Sequence, residues 1–221
     1  MFIQRQVDGL ILLDGHVAAK DIVNIAKELP MIIIGRNIPG LEEQCIPFDD
    51  FDAAYKATKY LVDSGHRRIA HITGLLNHND AIDRREGYLK ALRDSGLSPD
   101  PDLIIEGDFT EPSGLMATEM LLMKGQIFSA VFAANDQMAL GARLALYRRG
   151  LRVPEDVSIV GFDDQVPSSY MIPPLTTMQR SPLEIGEKAC QALLNLIHNK
   201  PFKLPEHESK LVIRESVTRR L

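Results

Sequence analysis

Apolar and polar residues follow two alternating patterns along the chain. Short runs rich in Val and Ile are typical of strands buried on both faces of a parallel sheet, and the amphipathic stretches between them are typical of crossover helices. The pattern predicts strands over residues 7–13, 31–35, 44–47, 68–72, 103–106, 130–133 and 157–160. It predicts helices over residues 18–29, 50–64, 82–95, 114–124, 136–149 and 182–198. We therefore expect an α/β fold with mostly parallel sheets.

Two further local patterns complete this prediction. The break at Asn199-Lys200-Pro201 ends the last helix, and residues 210–217 then predict a final strand. One predicted helix carries Met116, Met120, Leu121 and Met123, which we expect to fill space in the core rather than to form an adaptable docking surface.

Composition excludes several classes of protein. The 221 residues are 45% hydrophobic and carry a net charge of -5, with basic residues scattered along the chain. No stretch approaches the ~20 apolar residues that a membrane-spanning helix needs, so no membrane partner is expected. The scattered basic residues argue against direct nucleic-acid binding by this polypeptide. The two cysteines, Cys45 and Cys190, have no spacing of a disulfide framework, and residues 1–6 lack a secretory signal, so a cytoplasmic location is expected.

Motifs of the common nucleotide-binding and hydrolytic enzymes are absent. The sequence contains no GxGxxG, no GxxxxGK[ST] and no GxSxG. His78, Asp80 and Asp83 could hold a metal, but a solvated polar loop is the better interpretation. We therefore expect a protein that is not an enzyme and has neither a cofactor nor a metal.

Polar side chains follow most of the predicted strands. They are Asp14, Arg36-Asn37, Asn77, His78 and Asp80, Asp108, Asn135-Asp136, and Asp163-Asp164, with the aromatic Phe109 next to Asp108. The carboxyl ends of parallel strands meet at one edge of a sheet, where ligands bind in open α/β folds. The competing interpretation is that such residues only cap helices, and Asn135 before Asp136 fits a cap well. Asp163-Asp164 fits a cap poorly, because residues 165–174 contain three prolines and no helical periodicity.

The residue types at this edge suit a polyhydroxylated ligand. Asp163 and Asn135 can bond to neighbouring hydroxyl groups, and the fork of Arg84 can bind two oxygens at once. The ring of Phe109 can cover the apolar face of a sugar.

Three segments carry a resemblance to a known family. They are ANDQMALGA at 134–142, VPEDVSIVGFDD at 153–164 and PPLTT at 173–177. Three shorter matches lie upstream: VDGLI at 7–11, GHRRI at 65–69 and Arg84-x-x-Gly87-Tyr88. The chain resembles the effector-binding core of the lactose/galactose repressor (LacI/GalR) family of bacterial transcription regulators. The likeness extends over nearly the whole chain in order.

The resemblance implies a periplasmic-binding-protein-like fold of two lobes around an effector cleft, each with a parallel sheet flanked by helices. The lobes would be residues 1–64 with 178–202, and residues 65–177 with 203–221. By motif alignment, the expected effector-binding residues are Arg84, Asn135, Asp163, Phe109, Asp80, His78 and Arg180. Leu140 and Met171 fall where the family packs its dimer, and operator DNA would bind only through a separate N-terminal helix-turn-helix.

Two features of the family pattern are missing. The sequence contains neither the helix-turn-helix nor the opening strand-helix-strand of the first lobe, and residues 1–6 resemble the end of a helix that should precede Val7. The first lobe is therefore expected to be incomplete, with unpaired strand edges.

Three hypotheses of different classes follow. The leading one is a sensor that binds a sugar or related metabolite and thereby changes the DNA affinity of the missing helix-turn-helix. The alternative is a sugar-binding protein of a transport system, which shares the lobed fold but requires export. A sugar-modifying enzyme ranks last, because nothing in the sequence fixes the separation of an acid/base pair such as Asp163 and Asp80.

Overall fold

A computed structural model describes residues 7–13, 17–204 and 208–220 of the chain. Residue contacts divide it into two compact units. The first unit comprises Met1–Asp49 and Ser181–Glu208, and the second comprises Asp50–Arg180 and Ser209–Leu221. The similarity of residues 1–6 to the end of a helix concerns a segment outside the described residues.

The first unit contains a parallel sheet between helices. Its elements are β1 (Leu10–Leu12), α1 (Ala19–Ala26), β2 (Met31–Ile34), β3 (Cys45–Ile46) and α6 (Pro182–Ile197). The strand order is β1-β2-β3, with Ile11 paired to Ile32 and Ile33 to Cys45. Successive side chains of β2 point to opposite faces of the sheet, so Ile32 and Ile34 pack with α6 while Met31 and Ile33 pack with α1. This arrangement explains why β2 is apolar at every position.

The second unit contains a larger sheet. Its elements are α2 (Asp50–Asp63), β4 (Ile69–Thr73), α3 (Asn79–Asp94), β5 (Ile104–Glu106), α4 (Glu111–Met123), β6 (Ala130–Ala133), α5 (Asp136–Arg148), β7 (Ser158–Asp163), β8 (Thr176–Gln179) and β9 (Lys210–Val212). The strand order is β5-β4-β6-β7-β8-β9. Each neighbouring pair is parallel except β8 with β9, which is antiparallel.

Two hydrophobic clusters cover the faces of this sheet. Val131 and Ala133 of β6 pack in a cluster with side chains of α4 and α5, whereas Ala130 and Phe132 pack with side chains of α2 and α3. The alternation of side chains along a strand produces this division. The sheet is therefore buried on both faces, as its continuous apolar strands predict.

The predicted elements are confirmed to within a few residues at their ends. The seven predicted strands and six predicted helices are present among the described residues, and the final strand forms as the short β9. The sequence pattern missed β8, because its residues Thr176–Gln179 are mostly polar. The prediction of core residues on α4 is confirmed for Leu121, which is fully buried, but was wrong for Met116, Met120 and Met123, which are exposed.

The unit boundaries differ from those predicted. Residues 50–64 were expected in the first lobe, but they belong to the second unit because α2 packs closely against α3. A Cβ atom on Gly87 of α3 would lie 2.2 Å from the carbonyl oxygen of Phe51 in α2. Conversely, Phe202 and Leu204 pack on the core of the first unit and extend it beyond residue 202. Within the described residues, no helix is both long and apolar enough to cross a membrane.

Candidate functional site

A cluster of charged and aromatic side chains lies within the second unit, at the carboxyl ends of its parallel strands. β4 leads to Gly74, β6 to Ala134, and β7 ends at Asp163. Parallel strands place these ends at one edge of the sheet, as predicted from the sequence. Helix α3 adds Arg84, and α2 begins at the same cluster with Asp50.

Arg84 is the central group of the cluster. It is only 2% exposed, and its Nε donates a 2.8 Å hydrogen bond to Oδ1 of Asp50. A second nitrogen donates to the carbonyl oxygen of Ala134 at the end of β6, and a third lies 3.5 Å from Oδ2 of Asp80. The guanidinium carbon lies 4.1 Å from the ring centroid of Phe162, a cation–π distance. These contacts hold the Arg84 fork in one orientation.

Arg180 joins the same carboxylate from the end of β8. One of its terminal nitrogens donates to Oδ1 of Asp50, and its Nε lies 3.7 Å from Oδ1 of Asp163. Its guanidinium carbon lies 5.0 Å from the ring centroid of Phe162. Two arginines therefore share one aspartate and one aromatic ring.

Burial and charge act in opposite directions on these groups. Desolvation lowers the pKa of Arg84. The attraction of Asp50, Asp163 and Asp80 outweighs this effect, so the pKa of Arg84 is raised overall. Desolvation lowers the pKa of Arg180, and repulsion from Arg84 adds to this. Desolvation raises the pKa of Asp163, although the two arginines oppose the shift. The geometry thus gathers charged groups that have lost much of their water.

Phe109 forms the aromatic wall of the cluster. Its backbone is left-handed, with φ of 69°, and its ring covers Gly74: a Cβ atom at that position would lie 1.9 Å from Cζ of Phe109. The ring of His78 lies 6.0 Å away between centroids, and the Arg84 guanidinium lies 5.7 Å from the Phe109 centroid. The absence of a side chain on Gly74 is what allows the ring to lie here.

Asn135 caps α5, as one interpretation of its sequence position predicts, and makes a second contact with Phe109. Its Oδ1 accepts a 2.9 Å hydrogen bond from the backbone N–H of Met138, which caps α5. Its Nδ2 donates a 2.8 Å hydrogen bond to the carbonyl oxygen of Phe109. The amide therefore caps the helix and also holds the left-handed backbone that carries the aromatic ring.

The remaining predicted residues lie at the start of α3. His78 is its N-terminal cap residue, in extended backbone conformation. Asp80 accepts from its neighbour's N–H through Oδ1 and approaches Arg84 through Oδ2, with 38% of its side chain exposed. The structure thus brings Arg84, Asp163, Phe109 and Arg180 together, with Asn135, His78 and Asp80 beside them.

The sequence reasoning missed two members of the cluster. The sequence pattern assigns Asp50 only to the start of a helix, and it gives no role to Phe162, which lies just beyond the predicted strand 157–160. Phe162 lies next to the last residue of β7, whereas Asp50 begins α2 and follows no strand of the second unit. Among the described residues, no group of three or more His, Cys, Asp or Glu side chains is arranged to hold a metal.

The two residues expected at a dimer interface have different surroundings. Leu140 is 38% exposed and lines an apolar groove of about 590 Å³ between α4 and α5, together with Leu115, Leu144 and Tyr147. Met171 is buried and packs in the α4–α5 core cluster.

Comparisons with known proteins agree with the fold. A family profile described as a periplasmic binding protein-like domain matches residues 58–217. The HTH-type transcriptional repressor PurR of Pasteurella multocida is 36% identical over 225 residues, covering 100% of this chain and 67% of that protein. The chain spans about two thirds of the length of the curated relatives that it matches.

Solved structures give the same result. A sugar-binding transcriptional regulator of the LacI family from Escherichia coli, solved with phosphate, superposes with a TM-score of 0.91 at 29% identity, over 99% of this chain and 80% of that one. A dimeric Lac repressor superposes with a TM-score of 0.87 at 30% identity, over 99% of this chain and 80% of that one.

Proposed function

This chain belongs to the LacI/GalR family of transcriptional regulators as an effector-binding core, and we propose that it senses a sugar or related small metabolite through the cluster around Arg84. The observation that carries the proposal is the placement of Arg84 and Arg180 on one carboxylate, beside Asp163 and Phe109. Charged groups are seldom buried without a partner or a function. The proposed activity is binding alone, without catalysis.

The chemistry of the cluster favours a ligand with several hydroxyl groups. Asp163 and Asp80 keep part of their carboxylate surface exposed and can accept hydrogen bonds from hydroxyls. The arginine forks can donate to ring or hydroxyl oxygens. Phe109 offers an aromatic face for C–H groups or for a flat heterocycle. Hexoses, pentoses and nucleosides meet these requirements, whereas a purine base meets only those for a flat heterocycle and for hydrogen bonding.

Regulation would follow from a difference in effector affinity between two arrangements of the protein. An effector shifts such an equilibrium only by the ratio of its affinities for the two arrangements. We propose that the effector changes in this way the operator affinity of a helix-turn-helix segment outside this chain, in the cytoplasm. The transport alternative is not favoured, because the relatives are transcriptional regulators.

We further propose that the working protein is a homodimer in which a second copy covers the groove between α4 and α5. The groove is lined by Leu115, Leu140 and Leu144, with Tyr147 79% exposed beside it. A two-fold interface places the same surface of each copy against the other. The acidic Glu111 and basic Arg143 on the groove then allow complementary pairs between copies.

A thermal-shift screen followed by calorimetry tests the sensor proposal. The full chain is titrated with D-galactose, D-ribose, cellobiose, adenosine and guanine. A compound at ~100 times its Kd adds ~2.7 kcal/mol of stability, so binding appears as a rise in Tm. We expect at least one of the five to bind with a stoichiometry of one per chain. If none raises Tm or gives heat of binding, a sugar or nucleobase sensor is contradicted.

A further inference from the structure

Asp136 is a buried carboxylate outside the cluster around Arg84, and its charge interacts with that of Asp163 in the cluster. It is the first residue of α5, directly after Asn135, and is 2% exposed. Its Oδ1 accepts a 2.6 Å hydrogen bond from the hydroxyl of Thr177. Its Oδ2 accepts from the hydroxyl of Ser168 at 2.6 Å and from the backbone N–H of Gln165 at 2.8 Å. One side chain thus binds the loop after β7 at two points and strand β8 at a third.

The backbone of β7 leaves space for this carboxylate. A Cβ atom on Gly161 would lie 2.3 Å from Oδ1 of Asp136. No side chain larger than that of glycine fits at position 161 unless the carboxylate moves. The sequence therefore combines a glycine in a central strand with an aspartate that uses the resulting space.

The loop that Asp136 holds has an unfavourable backbone conformation. Asp163 and Asp164 have φ angles of 104° and 54°, in the region that favours glycine. The N–H of Asp164 lies 3.4 Å from Oγ1 of Thr177, the same hydroxyl that donates to Asp136. Arg214 and Gln179 bind the side chain of Asp164 at 2.7 and 2.9 Å. Such a conformation persists only where the surroundings fix it.

We propose that Asp136 is the positioning residue of the effector site, which acts by holding residues 163–165 in the conformation that presents Asp163 to Arg180 and to the effector. The proposal rests on the proposed function, because it assumes that Asp163 contacts the effector. Asp136 itself is surrounded by its three donors and does not need to touch the effector. Burial raises the pKa of Asp136 to about 6, and the hydrogen bonds from Ser168, Thr177 and Gln165 oppose this shift. Two of these three donors belong to the loop after β7, so the loop stabilises the charged form of the carboxylate.

A double-mutant cycle tests whether Asp136 acts through Asp163. The affinity for whichever of D-galactose, D-ribose, cellobiose, adenosine or guanine binds the wild-type chain is measured for Asp136→Asn, Asp163→Asn and the double variant. Coupled residues give strongly non-additive effects. We expect Asp136→Asn to weaken binding ~10-fold in the wild-type background and less than ~2-fold in the Asp163→Asn background. Equal weakening in both backgrounds, or none in either, would overturn the proposal.

Hydrogen exchange supplies a second readout that needs no effector. In Asp136→Asn the amides of residues 163–170 are expected to exchange at least ~10-fold faster than in wild type, while those of β4 and β6 stay unchanged. Unchanged exchange in the loop would overturn the positioning role, even if no compound binds and the proposed function itself fails.

A milder pair of variants applies if Asp136→Asn does not fold. Ser168→Ala removes one donor to Asp136, whereas Ser169→Ala alters only an exposed hydroxyl that bonds to Val166 in its own turn. Faster loop exchange in the first variant alone supports the proposal, and equal exchange in both overturns it.

Discussion

Asp50 and Arg84 form a buried ion pair between two helices, with Oδ1 of the aspartate 2.8 Å from Nε of the arginine and a separation of 34 positions in sequence. The same oxygen also accepts a hydrogen bond from Arg180. The two arginines are thereby held side by side, although their charges repel each other. The pairing is as much a structural requirement of the second unit as a feature of the candidate site.

The first prediction concerns the stability of this arrangement. Asp50→Asn leaves two buried guanidinium groups without their common negative partner, which is expected to lower the free energy of unfolding by about 3 kcal/mol. Urea unfolding checks this. The matched control is Asp52→Asn on the same helix, whose exposed pair with Lys56 is worth less than about 1 kcal/mol. Equal destabilisation by both substitutions would contradict the account.

The second prediction concerns effector affinity. Arg84→Ala removes one or two charge-assisted hydrogen bonds, worth ~1.5 to 3 kcal/mol each, so binding of the compound found in the screen should weaken at least ~10-fold. Calorimetry of the folded variant measures the effect. Arg93→Ala, which changes an exposed residue of the same helix, should leave the affinity unchanged. An unchanged affinity in Arg84→Ala would remove this residue from the site.

The third prediction concerns the aromatic wall. Gly74→Ala places a Cβ atom 1.9 Å from Cζ of Phe109, so the ring must move away from its present position. If Phe109 stacks on the effector, affinity should fall several-fold, since an aromatic contact contributes about 1 kcal/mol. The control is Gly186→Ala on α6, where a Cβ atom meets nothing within 4 Å. That substitution should stabilise the helix slightly and leave binding as in wild type.

The sequence predicted the scaffold better than the site. Strands such as Met31–Ile34 and Ala130–Ala133 are apolar throughout because both faces of each sheet are covered, and this property is visible in the sequence. The position of polar residues at strand ends likewise follows from parallel topology. Asp50 could not be assigned in this way, because its second arginine lies 130 residues away.

Residues that make both a local and a long-range contact are a second case that the sequence pattern could not resolve. Asn135 caps α5, as its sequence position predicts, and also bonds to the carbonyl oxygen of Phe109, a contact that no local pattern predicts. Asp136 looked like part of the same cap, but its partners are Gln165, Ser168 and Thr177. The local sequence pattern can predict a helix cap. A hydrogen bond to a residue far away in sequence depends on how the strands pack in the sheet, so the pattern cannot predict it.

The fourth prediction concerns acid stability. His71 is fully buried, with its ring stacked between Tyr88 and Phe132, and its Nδ1 lies 2.9 Å from the carbonyl oxygen of Phe132. Its Nε2 has no hydrogen-bond partner among the described residues. Burial, more than any other influence, lowers its pKa to about 4. The folded chain therefore holds this ring neutral where an unfolded chain, with a pKa of ~6.5, would protonate it.

The sign of the pH effect follows from this difference. Stability from neutral His71 is complete above pH ~6.5 and is lost as the pH falls toward 4, by about 3 kcal/mol in total. Asp136 acts in the opposite direction, because its pKa is raised to about 6, so its contribution is lost as the pH rises. Urea unfolding between pH 4 and 7 should therefore show that the free energy of unfolding of His71→Phe increases relative to that of wild type as the pH falls. His198→Phe, at the exposed residue that follows α6, is the control for replacing a histidine by phenylalanine.

The fifth prediction concerns the dimer. Leu144→Asp places a charge in the apolar groove between α4 and α5 without disturbing the core, since Leu144 is 43% exposed. If a second copy covers the groove, the dimer Kd measured by sedimentation should rise at least ~30-fold. Leu183→Asp, on the exposed side of α6 in the first unit, is the matched control and should leave the dimer intact.

Met171 is a poorer choice for this test, although it was also predicted at the interface. It is only 9% exposed and packs in the core cluster, so truncation to Ala should cost about 2–5 kcal/mol of folding stability. Loss of dimer in that variant would not distinguish an interface residue from a core residue. Leu144 avoids this ambiguity, because a folded Leu144→Asp chain that sediments as a dimer contradicts the groove interface directly, whereas a folded monomer supports it.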